Sequence, residues 1–410
     1  MVWNPFKRQL HDTILDPEMK QEALTEPSEE TIATLPPPPD KQTEQQRNVV
    51  EGREVKGFDL LDVAYTLQKK LSSMDKNTRN DDAVLADPDT GLLGVFDGLG
   101  GVANSYLASA MAVHELPQLY ELELRQQAFK EDDAVMNSLA MRLRIRTDMD
   151  IAQLPLTEEE TITHTEAASE ERITRLTSDV VLARKASALL ASIDQLGENA
   201  ETINVQTTAC VGFIHTTPDN KRFAVVANVG DSAAFIVRPD GTLQTLTQED
   251  SYTNELLRTG AITRETLLKM KREPDKLFPV RLVDRTDTQY TALKYYEMMA
   301  ALTHSIGNGD PQPSIAIADI EPGDTLLFCT DGVIDKFEQK PTATTTPENV
   351  VETSLETAEL ARAYLDGKTM LEQVNNLRGE AAMRYSYKSE DDIAIVAAHV
   401  KGDLSLDPKT

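Results

Sequence analysis

NDDAVLADPDTGLLGVFDGLGG, residues 80–101, holds two extended apolar runs with a turn between them. Pro88, Asp89, Thr90 and Gly91 separate AVLAD from LLGVFD. Pro, Asp and Gly supply dihedrals that strand residues avoid, so the stretch is expected to close as an antiparallel hairpin. The same pattern recurs twice downstream. CVGFIHT, PDNK and RFAVVANVG form one such unit over 210–230, and AAFIVR, PDG and TLQTL form another over 233–246. DTLLFCT at 324–330 and DIAIVAAHV at 392–400 complete a strand set. Their nearly continuous apolar character suits strands buried between two layers.

Helical spacing fills the gaps. Tyr106, Leu107, Ala110, Met111 and His114 share one face, and Pro117 predicts a kink or break. Residues 173–196 place Ile173, Leu176, Val180, Leu189, Ile193 and Leu196 at helical intervals, and two more helices are expected over 347–364 and 368–384. Residues 130–172 are acidic and rich in Thr and Glu, which predicts an exposed insertion. The fold class expected is α+β, a β-sandwich flanked by helices. Residues 1–53 are polar, carry four consecutive prolines at 36–39 and show no period, so they read as a disordered or loosely attached tail. Residues 403–410 read as a short C-terminal tail.

The 410 residues are 40% hydrophobic, enough for a sizeable core. Lys and Arg total 41 against 68 Asp and Glu, a formal charge of −27. That surface repels nucleic acid and anionic membrane, and neither is expected as a partner. Cys210 and Cys329 sit inside apolar runs and read as buried, reduced thiols. The start MVWNPFKRQL has no apolar signal core, and no stretch approaches the roughly 18–20 apolar residues of a membrane span. A cytoplasmic, monomeric protein is the expectation.

Five acidic segments fall where strands end. They are Asn80-Asp81-Asp82, Asp97-Gly98-Leu99-Gly100-Gly101, Gly230-Asp231-Ser232, Thr330-Asp331 through Asp335, and Glu390-Asp391-Asp392. Carboxylates beside buried strands are costly unless something neutralises them. Mg²⁺ and Mn²⁺ do so through oxygen ligands. The six histidines are scattered, so zinc is not expected. Each segment alone is a common turn; the ordered set is what carries information.

That order resembles the PPM family, the metal-dependent type 2C serine/threonine protein phosphatases. NDDAVLA, VFDGLGG, QTTAC, NVGDSAAFIV, LTQEDS, CTDGVID and EDDIAIV follow the family's motif sequence over about residues 78–400. The resemblance implies a four-layer αββα fold, with one catalytic domain over 54–402. It implies Asp97 as the carboxylate bridging two central Mn²⁺ or Mg²⁺ ions, with the Gly98 carbonyl on the second. Asp331 and Asp391 align with ligands of the first metal, and Asp81 with an acidic ligand of the second. Asp231 and Asp335 align with a weaker third site of bacterial members. The implied reaction is attack of a metal-bridging hydroxide on phosphoserine or phosphothreonine of a phosphoprotein.

Some positions depart from the family pattern. The phosphate-contacting Arg is replaced by Asn77, leaving Arg79 or Lys76 to meet the phosphate. Asp81 stands where Glu is usual. Leu99 replaces the eukaryotic His, as in a bacterial-type site, so water is expected to protonate the leaving group. Gln206 and Ala394 replace a Gly and a Thr away from the metals. The alternative is a pseudophosphatase, the same fold serving as a protein-binding module.

Overall fold

The computed structural model describes residues 51–69, 80–99, 105–151, 171–284 (without 172, 176 and 178), 287–295, 301–350 (without 310), 355–384 and 391–402. Strands β1 (Glu51–Val55), β2 (Leu61–Gln68), β3 (Asp82–Asp87) and β4 (Leu92–Asp97) open the chain. Helices α1 (Ser105–Ala128), α2 (Asp132–Ile151) and α3 (Val180–Thr202) follow, then β5 (Ala209–Thr216), β6 (Arg222–Val229), β7 (Ala233–Val237) and β8 (Leu243–Thr245). Next come α4 (Tyr252–Arg258), α5 (Arg264–Arg272), β9 (Phe278–Asp284), β10 (Asp287–Leu293), β11 (Ser314–Asp319) and β12 (Thr325–Cys329). The chain continues through α6 (Asp331–Ile334), α7 (Thr357–Leu365), α8 (Met370–Met383) and β13 (Ile393–Val400).

Two antiparallel sheets stack. One has the order β1-β2-β13-β12-β7-β8, the other β11-β6-β5-β4-β3. Alternation along each strand explains the continuous apolar runs, because both faces are covered. In β12, Leu326 and Phe328 join the core between the sheets, while Leu327 and Cys329 join the core under α7 and α8. In β4, Leu93 and Val95 point between the sheets, and Leu92 and Phe96 meet Leu116, Tyr120 and Leu189 of the other helical layer. The expected four layers and all three hairpins are present. The first turn closes with Gly91 at φ 76° and its N–H on the Asp87 carbonyl at 2.9 Å.

Helical boundaries differ from the sequence expectation. Helix α1 runs through Pro117 to Ala128, so no break occurs there. Met111, Ala112, Leu116 and Tyr120 are buried on both sides of the proline, and that packing outweighs the lost backbone donor. Part of the expected exposed insertion is helix α2, whose Val135, Leu139 and Leu143 are buried at four-residue intervals. Its remainder, 152–170, lies outside the described residues, as do 1–50 and 403–410 of the expected tails. Glu51–Arg53, read as tail, belong to β1. Residues 173–175 and 177 are helical as expected, but α3 itself starts after Asp179, which caps it by accepting from Val181 N at 2.8 Å. The helix expected from 347 begins only at Thr357.

A small lobe was not anticipated. Helices α4 and α5 and the β9–β10 ribbon share their own apolar cluster of Tyr252, Leu256, Leu267, Met270, Val280 and Tyr295. Among the described residues no helix is long and apolar enough to cross a membrane.

Phe328 is fully buried between the sheets, whereas Leu122 on α1 is 53% exposed. Phe328→Ala is expected to cost about 3–5 kcal/mol in urea unfolding, and Leu122→Ala under about 0.5 kcal/mol.

Candidate metal centre

Strand ends from both sheets converge on one edge of the sandwich. Asp97 closes β4, Asp231 sits in the β6–β7 turn, and Asp331 follows β12. One carboxylate oxygen from each of these three lies within 4.8 Å of the others. The β3–β4 register places Asp82 directly opposite Asp97. Asp82 is buried, and its Oδ2 accepts the Thr330 hydroxyl at 2.8 Å. The same hydroxyl accepts Ala394 N at 2.9 Å, which ties β13 to the pair.

Asp97 is held through its main chain. Thr208 Oγ1 accepts its N–H at 3.1 Å, and its carbonyl accepts Thr208 N and Thr207 Oγ1, both at 2.8 Å. Glycines let the backbones approach. A Cβ on Gly98 would stand 2.5 Å from the Ser105 carbonyl, and one on Gly332 would stand 1.8 Å from the Asp392 carbonyl. The D-G of both segments is thus a packing requirement at the seam.

Electrostatics match the geometry. Desolvation pushes the Asp97 carboxyl well above its ordinary pKa, and Asp82, Asp331 and Asp231 add repulsion. Asp82 is also raised, first by desolvation and then by Asp392, with Asp331 and Asp391 adding; the Thr330 hydroxyl opposes the shift. An all-oxygen donor set, close enough to share an ion and suffering mutual repulsion, fits a hard divalent cation such as Mn²⁺ or Mg²⁺. Cys210 and Cys329 lie fully buried in the cores, with burial raising both thiols.

The other expected residues fall around this group. Asp81 contributes its main chain: its N–H donates to Asp392 Oδ2 at 2.6 Å, and its carbonyl accepts Gly98 N at 3.0 Å. Asp391 Oδ1 accepts Asp392 N at 2.9 Å, and its charge reaches Asp82. Asp335 begins the short 3₁₀ turn after α6. Arg79 and Lys76 lie outside the described residues, as do Gly100 and Gly101. Asp82, next to the expected ligand Asp81, is brought to this edge as well; strand alternation signals it, since the residue opposite Asp97 points to the same face.

Residues 71–367 match the model of the family described as Protein phosphatase 2C. The segment around Asp391 lies beyond that match. The serine/threonine phosphatase stp of Listeria welshimeri serovar 6b is 25% identical over 146 residues, 35% of this chain and 45% of that protein. The chain therefore spans less than half the length of that curated relative. The PPM Ser-Thr phosphatase MsPP from Mycobacterium smegmatis, solved with cacodylate, is 18% identical at a TM-score of 0.47, covering 83% of this chain and 99% of that one. The catalytic domain of PstP, solved with 2 manganese ions, is 17% identical at a TM-score of 0.43, covering 84% and 99%.

The raised carboxyls add a pH-dependent contribution to the stability of the metal-free protein. A carboxyl whose pKa is higher folded than unfolded binds protons more tightly when folded. Its contribution is full below the unfolded value of about 3.8 and is lost as pH rises through the folded value. In chelator, the wild-type melting temperature is expected to fall relative to that of Asp97→Asn as pH climbs from 4 toward neutrality. Saturating Mn²⁺ offsets that loss in wild type, by about 2.7 kcal/mol at 100 times Kd. Differential scanning fluorimetry across pH measures both; a wild-type curve unmoved by Mn²⁺ contradicts the centre.

Proposed function

The chain belongs to the protein phosphatase 2C family, and from there we propose that it hydrolyses phosphoserine and phosphothreonine on protein substrates with Mn²⁺ or Mg²⁺ as cofactor. The observation that carries this is the meeting of Asp97, Asp231 and Asp331 at one edge of the sandwich. Those three would hold the ions, with Asp81, the Gly98 carbonyl, Asp391 and Asp335 assigned beside them through the family resemblance. Bound there, divalent ions neutralise phosphate charge and lower the pKa of water toward neutrality.

The protein's own groups orient and exclude. Asp97 is fixed from the main chain by Thr207 and Thr208, so its carboxylate needs no reorganisation when substrate arrives. Thr330 keeps its proton directed at Asp82 Oδ2 and holds that carboxylate toward the cluster. Arg79 or Lys76 meets the phosphate oxygens. Leu99 offers no proton, so the departing serine or threonine oxygen takes one from solvent. Both cysteines are fully buried, and neither serves as a nucleophile. The substrate is a phosphoprotein, met by a monomer in the cytoplasm.

p-Nitrophenyl phosphate and a phosphothreonine peptide test this directly. EDTA should abolish turnover, and Mn²⁺ or Mg²⁺ should restore it while Zn²⁺ does not. Asp97→Asn should lower kcat/KM at least about 100-fold, roughly 2.7 kcal/mol of barrier. Cys210→Ala should leave it unchanged. A wild type that binds phosphopeptide with Mn²⁺ present yet turns over no faster than Asp97→Asn is a binding module instead.

A further inference from the structure

Asp250, in the LTQEDS segment, has no role in the centre described so far. It is 8% exposed and lies between the turn carrying Asp231 and the first helix of the lobe. Its link to that turn runs both ways. Asp250 Oδ2 accepts Gly230 N–H at 3.1 Å, and Asp250 N–H donates to the Gly230 carbonyl at 2.9 Å. Asn228 Nδ2 donates to the same carbonyl at 3.1 Å and to that of Gln248 at 3.2 Å.

The turn has little freedom to settle elsewhere. Gly230 holds φ 102°, and a Cβ there would meet Thr208 Cγ2 at 2.6 Å. Thr208 accepts the Asp97 N–H and shares a 2.9 Å hydroxyl bond with Ser232. Asp231 is therefore flanked by Ser232, tied toward Asp97, and by Gly230, tied to Asp250. Asp250 is itself braced from the opposite side. Its carbonyl accepts Thr303 N at 2.8 Å and Thr303 Oγ1 at 2.9 Å, and His304 Nδ1 stands 3.7 Å from its Oδ1.

We infer that Asp250 is a positioning residue for Asp231, holding the Gly230 N–H so that the next side chain stays aimed at Asp97 and Asp331. The carboxylate never enters the cluster. It acts through one peptide unit, as groups behind metal ligands do when they fix ligand orientation. The inference rests on those three carboxylates forming a cation site.

Mn²⁺ titration of the metal-stripped full chain, read by calorimetry and by the electron paramagnetic resonance of free Mn²⁺, tests it without turnover. Asp250→Ala should weaken at least one Mn²⁺ site about 10- to 100-fold. Asp250→Asn keeps an acceptor oxygen and should retain wild-type affinity. Asp250→Ser is polar but too short to reach Gly230, and should bind as weakly as alanine; it stands in should the alanine variant not fold. Asp324→Ala controls for lost stability. Asp324 is 3% exposed and paired with Arg238 at the far end of β12 from Asp331, so its loss should lower the melting temperature without changing Mn²⁺ affinity. Wild-type affinity at every site in Asp250→Ala or Asp250→Ser overturns the inference, as does equal weakening in Asp250→Asn. A wild type that binds no Mn²⁺ removes the cation site itself, and the role of Asp250 with it.

Discussion

Carboxylates repel one another, and one edge of this sandwich gathers them from strands that are far apart in the chain. Asp97, Asp231 and Asp331 bring oxygens within 4.8 Å of each other. At an effective dielectric near 20, a pair of unit charges at that range repels by on the order of 3 kcal/mol. Folding brings these groups together only because the rest of the molecule is stable enough to hold them. Three apolar cores supply that stability, one between the sheets and one under each helical layer. Protonation or a bound cation relieves the repulsion. The site is thus a strained place that a ligand relaxes, which is the reverse of a core that packs for its own sake.

The seam between the two sheets decides where the repelling groups stand. Thr330 leaves the six-stranded sheet and donates to Asp82 of the five-stranded one. Asp392, just before β13, accepts the Asp81 N–H across the same gap. Within each sheet the flanking backbones also come close, Gly98 against Asp81 and Ser105 and Gly332 against Asp392, contacts that a side chain at either glycine would block. Carboxylate spacing is therefore inherited from main-chain contacts. Side-chain flexibility contributes little to it, because the threonine hydroxyls and peptide groups that hold each acidic segment are themselves buried.

The hairpins and the layering were legible because turn chemistry and strand alternation act locally. Pro88 to Gly91 determine a turn whatever surrounds them, and apolar runs with no polar face require cover on both sides. What failed to show were features set by distant partners. Pro117 sits inside a helix because residues before and after it bury against the sheet, a tertiary effect that outweighs local preference. Helix α2 hid within an acidic stretch because few apolar residues, among them Val135, Leu139, Ala140 and Leu143, mark its buried side. The acidic motifs were legible as a set. The buried place of Asp82, facing Asp97, followed from strand register, which the turn residues specify only indirectly.

The lobe joins the acidic edge through a polar contact rather than through its own apolar cluster. Lys271 of α5 places Nζ 3.1 Å from Glu338 Oε1, and the Tyr295 hydroxyl donates to the same oxygen at 2.6 Å. Lys271 and Tyr295 are nearly inaccessible, and burial followed by the Glu338 charge pushes the Tyr295 phenol well above its usual range. A buried pair of this kind adds little net stability, but losing one partner strands the other in a medium that solvates it poorly. Its strength is therefore directional: it tolerates one arrangement and penalises the rest. Glu338 directly follows the turn that begins at Asp335, and Phe337 between them is fully buried. The lobe is thus registered against the segment that carries Asp331 and Asp335, while Asp250 registers its other end against the turn of Asp231. One attachment lands just after Asp335 and the other on the turn of Asp231, so the lobe is seated beside two of the acidic segments.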